Sequence, residues 1–162
     1  MKVGESSNFE LEDLCKRLKI PLIGIFCKDE LDYLKRHNGC FIINMMDTKV
    51  ISKPNAVGHW VAFYKTKSQS IYFDSFGVYP PNDIIEYITY KTKINKVYYN
   101  QDQIQHISDD YCGYICVMFL YWMTYKSNIK NLDERLEDFM KTFDFKNIRK
   151  NKQIVNKFFT TQ

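Results

Sequence analysis

The chain has 162 residues, 45% of them hydrophobic and 26% charged, with only 6 Gly and 4 Pro. These values suit one globular domain over residues 1–162 and exclude a disordered chain or a linker-rich array. A net charge of +4 permits weak DNA contact but is too mild to mark a dedicated nucleic-acid binder.

Residues 9–20 have the apolar spacing of a short amphipathic helix, with Phe9, Leu11, Leu14 and Leu18 inward, Asn8 as its cap and Pro21 as its stop. Residues 23–27 form a brief extended piece. Residues 28–36 read as a second helix with Leu31, Tyr33 and Leu34 inward, ended by Asn38-Gly39. Residues 40–46 are an apolar run of strand length. The run does not alternate, so a central strand covered on both faces is expected. A polar segment, 47–58, contains Pro54-Asn55. Residues 60–64 and 70–74 then make an antiparallel hairpin across the polar loop 65–69. Residues 82–90 are helical, with Ile84, Ile85 and Ile88 on one side, and 96–100 are a further strand. Tyr111 to Tyr125 carries no charge and reads as a buried helix, too short and too tyrosine-rich to span a membrane. Residues 132–143 and 152–159 close the chain as amphipathic helices. Helices, then strands with one helix among them, then helices again make an α+β fold.

Five cysteines, Cys15, Cys27, Cys40, Cys112 and Cys116, are an odd number without framework spacing. The first residues lack an apolar signal region. Free thiols in a reducing, non-secretory setting are expected. Cys112 stands where the polar stretch Ser108-Asp109-Asp110 gives way to the apolar run, and Gly113 is next in the chain. A cysteine on the first helical turn meets unpaired N–H groups and about half a positive charge, which favour the thiolate. Any of Ser108, Asp109 and Asp110 suits the N-cap. A small core residue is the plainer reading of Cys112. Only partners elsewhere in the chain, a base and an acid to orient it, set a nucleophile apart from such a residue.

A nucleophilic cysteine needs a base. His37 lies beside Asn38-Gly39 at the surface. His106 precedes Cys112 in its loop. His59 begins an apolar strand between Gly58 and Trp60, well placed to point into a cleft, and is favoured. Asp74 ends the strand paired with the one that His59 begins, so an antiparallel hairpin sets the two side by side. Side-chain amides for an oxyanion are available at Asn100, Gln101, Gln103 and Gln105. Spacing does not choose among them.

The ordered motifs Gly58-His59-Trp60-Val61-Ala62-Phe63-Tyr64, Tyr72-Phe73-Asp74-Ser75-Phe76-Gly77, Gln105 and Cys112-Gly113 resemble the adenain family, the adenovirus maturation protease and its relatives in large DNA viruses, virophages and related mobile elements. The SUMO-deconjugating proteases belong to the same clan. The resemblance extends over residues 21–123, including Gly24 to Leu31 and Gly39 to Asn44. It implies a papain-like arrangement, circularly permuted, in which a mixed, partly antiparallel sheet packs on the buried helix that carries the nucleophile. It further implies Cys112 as nucleophile, His59 as base, Asp74 orienting His59, Gln105 with the Cys112 N–H as the oxyanion hole, and Trp60 walling the cleft. Tyr111 departs from the SUMO-protease branch, which usually has Asp there, and so leans to the viral branch.

The resemblance implies a viral cysteine endopeptidase of 162 residues, monomeric, acting on capsid or core precursors at Gly-containing sites in the virion, cytoplasmic virus factory or nucleus. By the same analogy a peptide or DNA activates it. Removal of a ubiquitin-like modifier is an alternative activity, and a non-catalytic virion or DNA-associated protein an alternative of another class. No metal is expected: Cys112, Cys116, His106 and His59 lack a zinc spacing. Cys116 is expected in the core, and no motif assigns a role to Cys15, Cys27 or Cys40.

Overall fold

The computed structural model describes residues 2–51, 58–89, 96–126 and 128–162. Its centre is a five-stranded sheet in the order β1 (Leu22–Cys27), β2 (Gly39–Asn44), β3 (Trp60–Lys65), β4 (Gln69–Phe73), β5 (Lys96–Tyr99). The outer pairs β1–β2 and β4–β5 are parallel, and the inner pairs antiparallel. Both faces are covered. Cys40, Ile42, Ala62, Ile71 and Phe73 pack to one side; Phe41, Ile43, Val61, Phe63 and Tyr72 pack to the other. This two-residue period under two apolar layers explains why β2 is apolar without alternation. The α+β class and the doubly covered strand are as expected.

Four helices cover the first face: α1 (Asn8–Arg17), α4 (Cys112–Tyr125), α5 (Leu132–Met140) and α6 (Asn151–Thr161). α4 lies across β3 and is buried on almost every side, so it has no polar stripe. Phe119 on α4 stacks on Phe73 at 4.9 Å and meets Phe139 of α5 edge-on at 5.7 Å. The opposite face is closed by α3 (Asn82–Thr89) and a 3₁₀ helix, Lys28–Tyr33.

Several boundaries differ from expectation. Ser7, not Asn8, caps α1: its Oγ accepts from Glu10 N–H, and Glu10 Oε2 accepts from Ser7 N–H at 2.8 Å. From that start Leu11, Leu14 and Cys15 form the buried stripe, and Phe9, about 200° round from Leu11, is 76% exposed. The helix stops at Arg17, where Lys19 turns left-handed at φ 55° before Pro21. Residues 28–36 contain no α-helix. Cys27 N–H and Glu30 close a tight 3₁₀ start at 2.6 Å, which brings Leu31 inward and leaves Tyr33 90% exposed. The polar segment holds a short helix, α2 (Thr48–Ile51), anchored by Thr48 N–H and O–H donating to Asp29; residues 52–57, with Pro54-Asn55, lie outside the described residues. The hairpin connection is shorter than expected because Lys65 and Gln69 are strand residues. In α3, Tyr87 joins Ile84 and Ile88 inside while Ile85 is half-buried; Tyr90 lies outside the described residues. α5 ends at Met140, short of residue 143, and α6 begins at Asn151 and runs to Thr161. No helix among the described residues is long and apolar enough to cross a membrane.

Truncating Phe119 removes the ring that joins α4, β4 and α5. Phe119→Ala is expected to cost about 3–5 kcal/mol, read as a lower urea midpoint with an unchanged m-value.

Candidate active site

The hairpin sets His59, just ahead of β3, beside Asp74, just after β4. His59 Nε2 and Asp74 Oδ1 are 2.8 Å apart. Asp74 is only 3% exposed, and a buried carboxylate needs several donors. The same Oδ1 accepts from Phe76 N–H at 2.8 Å. Asn100 clamps the Asp74 backbone from behind: Asp74 N–H donates to Asn100 Oδ1 at 3.0 Å, and Asn100 Nδ2 donates to Asp74 O at 2.6 Å. Phe76 stacks on the imidazole, with centroids 4.3 Å apart and planes 13° apart. Gly77 makes that turn possible. Its φ is +69°, and a Cβ there would come within 2.6 Å of Gln101 O.

Cys112 is the first residue of α4, 7% exposed, on the floor of a groove of about 980 Å³ that His59, Trp60 and Phe76 also line. Its sulfur accepts from Trp60 N–H at 3.5 Å. With Nε2 of His59 turned to Asp74, Nδ1 is the ring nitrogen left for Cys112. Burial works against a charged imidazole, but hydrogen bonds to Asp74 and Cys112, and their negative charges, push the His59 pKa up to about 9. The groove thus brings together a thiol, an imidazole of raised basicity and a buried carboxylate.

None of Ser108, Asp109 and Asp110 caps α4. Tyr111 occupies the N-cap without a side-chain bond, and Asp110 turns to Lys152 at 3.2 Å. The first-turn N–H groups are therefore not covered by a cap side chain. Gln105 is fully buried. Its Oε1 accepts from Ser75 Oγ at 2.7 Å, and its Nε2 donates to Asp109 O at 2.8 Å, with one amide hydrogen remaining. The other amides in this stretch face elsewhere: Asn100 to Asp74, Gln101 to the Tyr99 hydroxyl, and Gln103 to Gln105 O. His106 is not brought to Cys112; it faces Ser108 and Arg149. His37 is exposed.

Trp60 is held at three points. Its N–H reaches Cys112, its carbonyl accepts from Cys116 Sγ at 3.4 Å, and its indole N–H donates to Ser6 O at 3.2 Å. Cys116 is fully buried, which pushes its thiol well above the ordinary range. Burial likewise raises Cys15 to about 12 and Cys40 to about 11. Cys27 is raised first by burial and then by Glu30. Asn100, Ser75 and Phe76 have structural roles here that pattern reading did not assign. Ser75 and Phe76 sit inside the Asp74–Gly77 motif, which is the signal that could have found them.

Asp74→Asn removes both the charge and the best acceptor for His59. An NMR titration of the imidazole should find its pKa fallen from about 9 back towards 6.5. Asn100→Ala should move it the same way by loosening Asp74.

No protein-family model and no curated protein matches the chain. Ten chains of solved structures match by fold. One is the ASFV pS273R protease, with a TM-score of 0.50 and 15% identity over 84% of this chain. The match spans 66% of that protease's own chain. At this identity the likeness is one of fold.

Proposed function

We propose that the protein is a cysteine endopeptidase of the adenain type. The observation that carries this reading is one half-buried imidazole, hydrogen-bonded to Asp74 at 2.8 Å and raised in basicity by both Asp74 and the neighbouring Cys112, in the lining of one groove. In the reaction, His59 takes the thiol proton and Cys112 Sγ attacks the scissile carbonyl carbon. The C–O π electrons move to oxygen, where the Cys112 N–H and the remaining Gln105 amide hydrogen stabilise the charge. The tetrahedral species collapses, the C–N bond breaks, and the imidazolium gives its proton to the departing amine. Water then attacks the thioester carbonyl, His59 takes its proton and returns one to sulfur, and the product leaves as a carboxylic acid. Asp74 holds the ring and stabilises its charged form without taking the proton.

The fold likeness to the ASFV pS273R protease, together with the adenain-like order His59, Asp74, Gln105, Cys112, supports precursor proteins of a virus particle as substrates. Cleavage at Gly-containing sites follows from the same resemblance, as does activation by a peptide or by DNA.

Co-expression with candidate virion precursors tests the reading. Cys112→Ala should leave them uncut while retaining the wild-type circular dichroism spectrum, and Cys116→Ala should still cut. Wild-type cleavage by Cys112→Ala would refute the assignment. Gln105→Ala should lower kcat about a hundred-fold or more. The rate profile should fall on its alkaline side as His59 loses its proton at about 9. Asp74→Asn should move that limb to lower pH, because the imidazolium loses its partner.

A further inference from the structure

The groove around Cys112 is opposite in charge to the chain. The chain carries +4, yet the described groove residues include Glu5, Glu10, Glu30, Asp109 and Asp110 and no Lys or Arg. Only Asp110 has an ion-pair partner among the described residues, Lys152 at 3.2 Å, in an exposed pair of little weight. Glu10 and Glu30 accept from uncharged donors, the N–H groups of Ser7 and Cys27, and so keep their charge unneutralised. Glu5 and Asp109 have no cationic partner among the described residues. Glu5, Glu10, Asp109 and Asp110 belong to one wall, where the N-terminal segment meets the loop before Cys112: a Cβ on Gly4 would lie 3.7 Å from Asp110 Oδ2. Ile107 stands on that loop 77% exposed, an apolar surface on which the stem of a long cationic side chain can lie.

A second, independent feature points to a peptide. One groove-lining side chain, Asn44, is more than nine-tenths buried and carries a polar atom without a partner, Nδ2, which lies against Gly58 of the groove. Asn44 lies opposite Trp60 in the β2–β3 register, and its Oδ1 is taken by Met46 N–H at 2.9 Å. What remains is a donor, and the carbonyls of an extended main chain are acceptors of matching kind.

We propose that the groove selects an extended peptide with Lys or Arg close to the scissile bond, its cationic side chain lying on Ile107 between Glu5 and Asp109. The proposal rests on the protease reading above and names the substrate that reading leaves open. Opposite charges across a groove raise capture of the right partner and repel the wrong one.

The test uses the full chain and a proteome-derived peptide library, with cut sites identified by mass spectrometry. Lys and Arg should be enriched within about three residues of the cut, the reach of a side chain along this groove. Matched peptides with Lys or Glu at the enriched position should differ about tenfold in kcat/KM. About 0.5 M salt should erode that ratio. The double substitution Glu5→Gln and Asp109→Asn should bring it close to one. Both residues stand outside the packed core, so a folded variant is expected, and its circular dichroism spectrum verifies this. Cleavage without charge preference, or with acidic enrichment, overturns this inference and leaves the protease reading standing. No cleavage of any peptide, with Cys112 no faster towards iodoacetamide than the other thiols, overturns both.

Discussion

A carboxylate buried to the extent of Asp74 must be surrounded by donors, and the site is built out from that requirement. His59 and Phe76 N–H serve its oxygen, and Asn100 serves its backbone on both sides. The turn after β4 carries the same constraint outward. Phe76 lies flat on the imidazole, and Ser75 fixes Gln105, so one four-residue turn orients both the imidazole and the amide. The hairpin supplies the proximity: an antiparallel pair sets the start of one strand against the end of the next.

α4 meets a different demand. It has no capping side chain and almost no polar face, so packing, not propensity, holds it in place. The absence of a cap keeps the first-turn N–H groups beside Cys112 clear of side-chain oxygen. Trp60 ties this helix to the sheet by bonding Cys112 through its N–H and Cys116 through its carbonyl. Cys116 is thus more than filler: its thiol closes a buried carbonyl one turn beneath Cys112.

Most of the sheet and of the site was legible in the sequence, because local pattern and strand pairing determine them. Apolar runs bounded by polar loops marked β2, β3, β4 and α4, and hairpin geometry alone paired His59 with Asp74. Details set by tertiary contact were not legible. Phe9 looks inward by composition but falls opposite Leu11 and Leu14 once Ser7 starts the helix. Residues 28–36 have helical spacing, yet a local Glu30 bond tightens them to a 3₁₀ turn. Among the four amides, only the fold separates Asn100, a clamp on Asp74, from Gln105, held by Ser75. The acids offered as caps of α4 lie instead along the groove, a role that depends on where the N-terminal segment runs.

That segment has a consequence in time. Val3 is buried, and its N–H donates to Asn156 Oδ1 of α6 at 2.7 Å, while Ser6 packs on Gly113, where a Cβ would meet its Oγ at 2.3 Å. The wall of residues 5–10 is therefore seated by a residue 153 positions beyond Val3, on α6. A nascent chain could pair β3 with β4 and bring His59 to Asp74 early. Its groove stays unwalled until α6 folds back on Val3, so the pairing of His59 with Asp74 precedes binding competence.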